Sequence, residues 1–143
     1  MKVQNKKTKT LASCQILFAL GIVAYWAIHF LASPSGRASL LISAEHAAFE
    51  AAFPAADVLL AMALLAAGIC LLRGLPMGVL LSCASGGALV FLGVLDISFN
   101  LQNGVYGFAS SLAVLNVTIN ALCVGFGLCL LFWTWRMHSL PRI

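Results

Sequence analysis

Long apolar stretches separated by short polar, glycine- or proline-containing connections divide this chain. A helix needs about 20 apolar residues to cross the hydrocarbon core of a bilayer, and each stretch is long enough to do so. The pattern predicts transmembrane helices at about 11–32, 44–72, 77–99 and 108–135 within a single domain, residues 1–143. We therefore predict an all-α integral membrane protein, a four-helix bundle.

The second stretch differs from the others because its first third is amphipathic and only the remainder is continuously apolar. Ser43 can cap this segment, which we expect to lie on the extracytoplasmic side as an entry to the second helix. Pro54 has no amide hydrogen and would free the carbonyl of Glu50 from its helical bond. One kinked helix and two separate helices are both compatible with the pattern.

Composition agrees with a membrane protein: 62% of the residues are hydrophobic and only 8% are charged. A soluble domain carries charge on about a quarter of its residues, so this chain could not cover a water-facing surface. The basic residues form no stripe interleaved with aromatic residues, which argues against nucleic-acid binding. The five cysteines are scattered without a C-x-x-C pair, so we expect no disulfide framework, no metal site, no cofactor and no thiol redox chemistry.

The distribution of basic residues predicts the orientation. If the N-terminus is cytoplasmic, the cytoplasmic segments contain seven of the eight Lys and Arg residues, and Arg37 is the exception. This bias predicts that both termini are cytoplasmic. Because the bias is simple and no transit sequence is recognisable, we expect a bacterial inner membrane. Aromatic residues at helix ends fit the same topology as an interfacial belt: Tyr25, Trp26, Phe30, Trp133 and Trp135.

Polar residues are concentrated in the half of the membrane that this topology places outside. At about 100° per residue, His46, Glu50 and Asp57 share one stripe. Further stripes join Ser85, Asp96, Asn100 and Asn103, the last two at or in the following turn, and then Asn116, Asn120, Cys123 and Gly127. We predict an outward-facing polar pocket or network whose candidate residues are Asp96, Asp57, Glu50, His46, His29, Asn100, Asn116 and Asn120.

Most of these residues also have a structural interpretation. Asn116 and Asn120 are typical of interhelical hydrogen bonds, and His46 with Glu50 is more typical of an exposed ion pair than of a metal site. Asp57 has His29 as a possible compensating partner.

Asp96 is the hardest residue to explain structurally, because an acid at this depth is costly without a partner or water. We expect its partner to be Asn100, Asn116 or Asn120, and we expect Asp57 and Asp96 to face one outer cavity.

The inner half is expected to be lined by Leu, Ala, Gly and Cys, with close helix approach at Gly68, Gly86, Gly87, Gly125 and Gly127. No charged path crosses it and no internal repeat is present, which disfavours an ion channel or an alternating-access transporter made of one chain.

Three functional hypotheses remain. The first is a module that binds a small polar or cationic ligand, or a lipid head group, in the outer pocket. The second is an accessory or assembly subunit with a membrane-protein partner or a second copy. The third is a membrane enzyme with carboxylate and histidine acid–base chemistry, but no nucleophile elbow, H-E-x-x-H or phosphate loop is present. We favour a non-enzymatic function.

Overall fold

The computed structural model describes residues 6–32, 44–107 and 111–139. Side chains at 44–46, 111–112 and 138–139 are not part of this description. The predictions for Arg37, for the cap at Ser43 and for the side chain of His46 therefore lie outside the described residues.

The described chain is helical and contains no strand. The helices are α1 (Lys6–Leu31), α2 (Ala44–Glu50), α3 (Phe53–Leu72), α4 (Met77–Gln102) and α5 (Ser111–Ser139), with a short 3-10 turn at Val105–Gly107. Four segments are long and apolar enough to cross a membrane: Lys6–Leu31, Ala47–Leu72, Met77–Gln102 and Ala113–Met137. The predicted all-α fold with four membrane-length helices is confirmed, and these helices indicate a multi-pass membrane protein.

The second predicted helix is two helices, α2 and α3, separated by a turn at Ala51 and Ala52. The amide of Ala52 donates to the carbonyl of Phe49 at 3.0 Å, which tightens the end of α2. Pro54 lies in the first turn of α3, where a missing amide hydrogen costs no helical bond. The rings of Phe49 and Phe53 pack edge to face across the turn with centroids 4.8 Å apart. Of the two alternatives, the structure has separate helices.

Glycines in a left-handed conformation end α3 and α4. Gly74 has a φ of 70°. Its amide donates to Leu71, and the amide of Leu75 donates to Cys70, the pattern of a Schellman cap. Gly104 has a φ of 66° and follows α4, which continues to Gln102, beyond the predicted end at residue 99. Asn100 is therefore helical.

The chain forms two compact units, Met1–Leu81 and Ser82–Ile143. In the first unit, α1 packs closely against α3. A Cβ added to Gly68 would lie 2.7 Å from Cγ1 of Ile16 and 2.9 Å from the carbonyl oxygen of Ala12, so the helices approach here because residue 68 has no side chain. The buried residues of α1 recur at helical spacing: Ala12, Gln15, Ala19 and Trp26.

In the second unit, α4 and α5 run antiparallel and are closest at Gly86 and Gly127. A Cβ added to Gly127 would lie 2.8 Å from the carbonyl oxygen of Gly86. Gly87 and Gly125 are exposed, and a Cβ on either would meet no atom within 4 Å. The expected close approach is confirmed at Gly68, Gly86 and Gly127. It is wrong for the other two in the described part of the chain, because they lie off the packed faces.

Candidate functional site

A partly buried polar network lies in the second unit, where α4 ends. Asn100 donates from Nδ2 to Oδ2 of Asp96 at 3.1 Å and, more weakly, to the hydroxyl oxygen of Tyr106 at 3.5 Å. Asn120 donates from Nδ2 to the same hydroxyl oxygen at 2.9 Å. We call Asp96, Asn100, Tyr106 and Asn120 the Tyr106 network. It joins α4, the 3-10 turn and α5 through side-chain hydrogen bonds.

Local structure explains why these side chains meet. Asp96 and Asn100 are one helical turn apart on α4, so their side chains lie on the same face. The left-handed Gly104 reverses the chain, and the following 3-10 turn is fixed by Val105, which is buried. The turn thereby presents Tyr106 to Asn100 on α4 and to Asn120 on α5.

The register between α4 and α5 adds a further residue to this region. A Cβ on Gly93 would lie 3.3 Å from Cβ of Cys123, and a Cβ on Gly127 would lie 3.0 Å from Cβ of Leu89. The helices are antiparallel, so a residue nearer the C-terminus of α4 lies opposite a residue nearer the N-terminus of α5. Continuing this register toward the end of α4 places Asp96 level with Asn120, and Asn100 level with Asn116.

Two amide atoms in this region are buried and have no hydrogen-bond partner among the described residues: Oδ1 of Asn100 and Nδ2 of Asn116. Asn100 is fully buried and Asn116 is 8% exposed. An unpaired buried polar atom costs about 1–3 kcal/mol, so such atoms are uncommon unless something else binds them. Asn100, which binds Asp96, therefore has an acceptor that no described residue uses, and Asn116, level with it on α5 by the register, has an unused donor.

A second polar contact lies in the first unit. The indole nitrogen of Trp26 donates to Oδ2 of Asp57 at 2.8 Å, and Trp26 is only 5% exposed. The ring of Trp26 is therefore buried against α3, where its N–H group binds a carboxylate, and the interfacial belt stays a prediction. His29 packs edge to face on Trp26 with centroids 5.2 Å apart. Its Nδ1 is buried without a hydrogen-bond partner among the described residues.

The remaining candidates are more scattered. Glu50 is half-buried at the end of α2 in the first unit, and the side chain of His46 lies outside the described residues. Asp57 and Asp96 belong to different units. Their shared outer cavity stays a prediction.

Sequence reasoning did not select Tyr106 or Trp26 as site residues, although both bind a predicted candidate. For Tyr106 the available signal was an aromatic residue two positions after the Asn103-Gly104 pair, a turn sequence. The lining of the inner half by Leu, Ala, Gly and Cys stays a prediction, to which the structure adds polar members. Buried hydroxyl side chains lie there on α4 and α5: Ser82, Ser85 and Thr134.

All five cysteines are free thiols. Within the described ranges, no group of three or more His, Cys, Asp or Glu residues could hold a metal ion. No protein-family model, curated protein or solved structure matches the chain. Function is therefore inferred from the residues of the two units.

Proposed function

We propose that this chain is an integral membrane protein that binds a small ligand. The Tyr106 network, together with Asn116, holds a small polar or cationic molecule or a lipid head group. The observation that supports this proposal is the fully buried Oδ1 of Asn100, which has no partner among the described residues. A bound ligand would supply the missing hydrogen bond and offset the cost of leaving this atom unpaired. Asp96 contributes a carboxyl group to the same region.

The proposal includes a location. The positive-inside bias supports cytoplasmic termini, with a bacterial inner membrane as the setting. In that orientation the end of α4 lies on the extracytoplasmic side, so the polar pocket opens outward. A ligand would reach it from the periplasm or from the outer leaflet of the bilayer.

Native mass spectrometry of the gently solubilised protein, taken from its own membrane, tests the proposal. We expect a lone chain or homo-oligomer that retains a small molecule or lipid. Asn100→Ala removes both the unused acceptor and the donor to Asp96, so the retained mass should fall to the level of nonspecific lipid. Asn103→Ala is the matched control, because Asn103 is exposed and donates only locally, to the carbonyl of Phe99 at 2.8 Å.

Retention that is unaffected by Asn100→Ala would contradict the site. A stable assembly with another polypeptide, and no retained small molecule, would replace the proposal with an accessory subunit.

A further inference from the structure

Three polar groups of the second unit can form hydrogen bonds that no described residue supplies. Together they restrict the class of ligand. Oδ1 of Asn100 can accept a hydrogen, and Nδ2 of Asn116 can donate one. The hydroxyl oxygen of Tyr106 accepts from Asn100 and Asn120, so its own hydrogen is directed away from both amides and can be donated to a third group. The region thus offers one acceptor and two donors.

Charged groups match this set poorly. An ammonium group has only donor hydrogens, so it would satisfy Asn100 and be attracted by the carboxyl group of Asp96. It would leave the donors of Tyr106 and Asn116 without an acceptor and facing a cation. A phosphate or carboxylate would accept from those two donors. It would also meet the acceptor oxygen of Asn100 and the carboxyl group of Asp96, which repel an anion.

A neutral group with one donor hydrogen and two acceptor lone pairs matches all three. A carboxamide can donate its N–H to Asn100 while its carbonyl oxygen accepts from Tyr106 and Asn116. An alcohol can do the same through a single oxygen atom.

We propose that the Tyr106 network and Asn116 recognise a neutral carboxamide or hydroxyl group. This inference rests on the proposed binding function and narrows its ligand from any small polar or cationic molecule to a neutral one.

A series of probes with nearly the same shape tests the ligand class. Benzamide is neutral, benzoate is an anion and benzamidinium is a cation at pH 7. Their binding to the full chain in detergent micelles is measured by saturation-transfer NMR, with protein-free micelles subtracted to remove partitioning. We expect benzamide to bind at least about tenfold more tightly than either ion. For each ion, the free energy lost by burying a mismatched polar group exceeds the free energy gained from its hydrogen bonds. Benzyl alcohol, measured in parallel, distinguishes a hydroxyl from a carboxamide ligand.

Asn116→Leu is the most informative variant. Its Nδ2 has no partner among the described residues, so the substitution breaks no hydrogen bond of that atom. We expect benzamide to bind about three- to tenfold more weakly, the loss of one hydrogen bond, while the thermal midpoint stays equal or rises. Asn103→Leu removes an exposed amide outside the network and should leave benzamide binding unchanged. A lower thermal midpoint with unchanged benzamide binding would assign Asn116 a structural role and overturn the inference.

The probes also separate the two proposals. If benzamidinium binds most tightly and is lost in Asn100→Ala, the binding function stands and the neutral ligand class is wrong. If no probe binds in a way that depends on Asn100 or Asn116, and native mass spectrometry finds no retained small molecule, the binding function itself fails.

Discussion

Replacing Gly127 by alanine should destabilise the second unit, because the new methyl group would enter the closest contact between α4 and α5. Its Cβ would lie 2.8 Å from the carbonyl oxygen of Gly86 and 2.8 Å from Cγ2 of Val90. A side chain can rotate away from such a contact, but the backbone oxygen of Gly86 moves only if the helices separate. Overpacking of this kind costs about 1–3 kcal/mol.

Gly125→Ala is the matched control on the same helix. A Cβ at residue 125 would meet no atom within 4 Å. Both variants gain the same benefit of alanine over glycine in a helix, about 1 kcal/mol. The difference between them therefore isolates the overpacking, and Gly127→Ala should be less stable than Gly125→Ala by about 1–3 kcal/mol.

The assay is reversible unfolding in mixed micelles, with the fraction of sodium dodecyl sulfate raised stepwise and unfolding followed by tryptophan fluorescence. Stability is compared as the free energy of unfolding extrapolated to the same detergent fraction. Equal stabilities for the two variants would refute the reasoning, because residue 127 would then tolerate a side chain, and α4 and α5 could not be in the close contact described above.

Three further predictions follow from single contacts. Trp26→Phe keeps the aromatic packing but removes the donor to Asp57, so the free energy of unfolding should fall by about 1.5–3 kcal/mol. A loss of similar size in an Asp57→Leu background, which has no acceptor at residue 57, would show that the hydrogen bond is not its cause. Asn116→Leu should raise the free energy of unfolding by up to about 1–3 kcal/mol, because a buried unpaired donor is removed, and a marked decrease in the same assay would indicate a partner for that donor. Gly74→Ala should lower the free energy of unfolding by about 1–2 kcal/mol, since the φ of 70° is unfavourable for alanine. An unchanged free energy of unfolding would mean that the turn adopts another backbone conformation.

Several local features were predictable because they depend on residues near one another in the chain. Pro54 limited the second stretch to a kink or a break, and the break is present. The spacing of Asp96 and Asn100 placed them on one face of a helix, and the expected hydrogen bond between them is present at 3.1 Å.

Other features could not be obtained from spacing. A stripe of small residues indicates close helix packing but does not show which glycine is in the contact. Gly127 packs against Gly86, whereas Gly125, two positions earlier, is exposed. The choice depends on which face α5 turns toward α4. Trp26 could equally have faced the bilayer interface, and its burial depends on the position of Asp57 on another helix.

The sequence by itself determined the membrane class, the four long helices and the approximate positions of their ends, because these follow from apolar length and from residues such as proline and glycine that act locally. Only the tertiary structure decided that Tyr106 joins Asn100 to Asn120 and that Trp26 binds Asp57. It also decided that Asn100 and Asn116 each keep a buried amide atom with no partner in the described part of the chain. These contacts depend on the rotation and register of packed helices. In an apolar chain of this kind nearly every face is hydrophobic, so the sequence pattern gives little indication of which face is packed against a neighbouring helix.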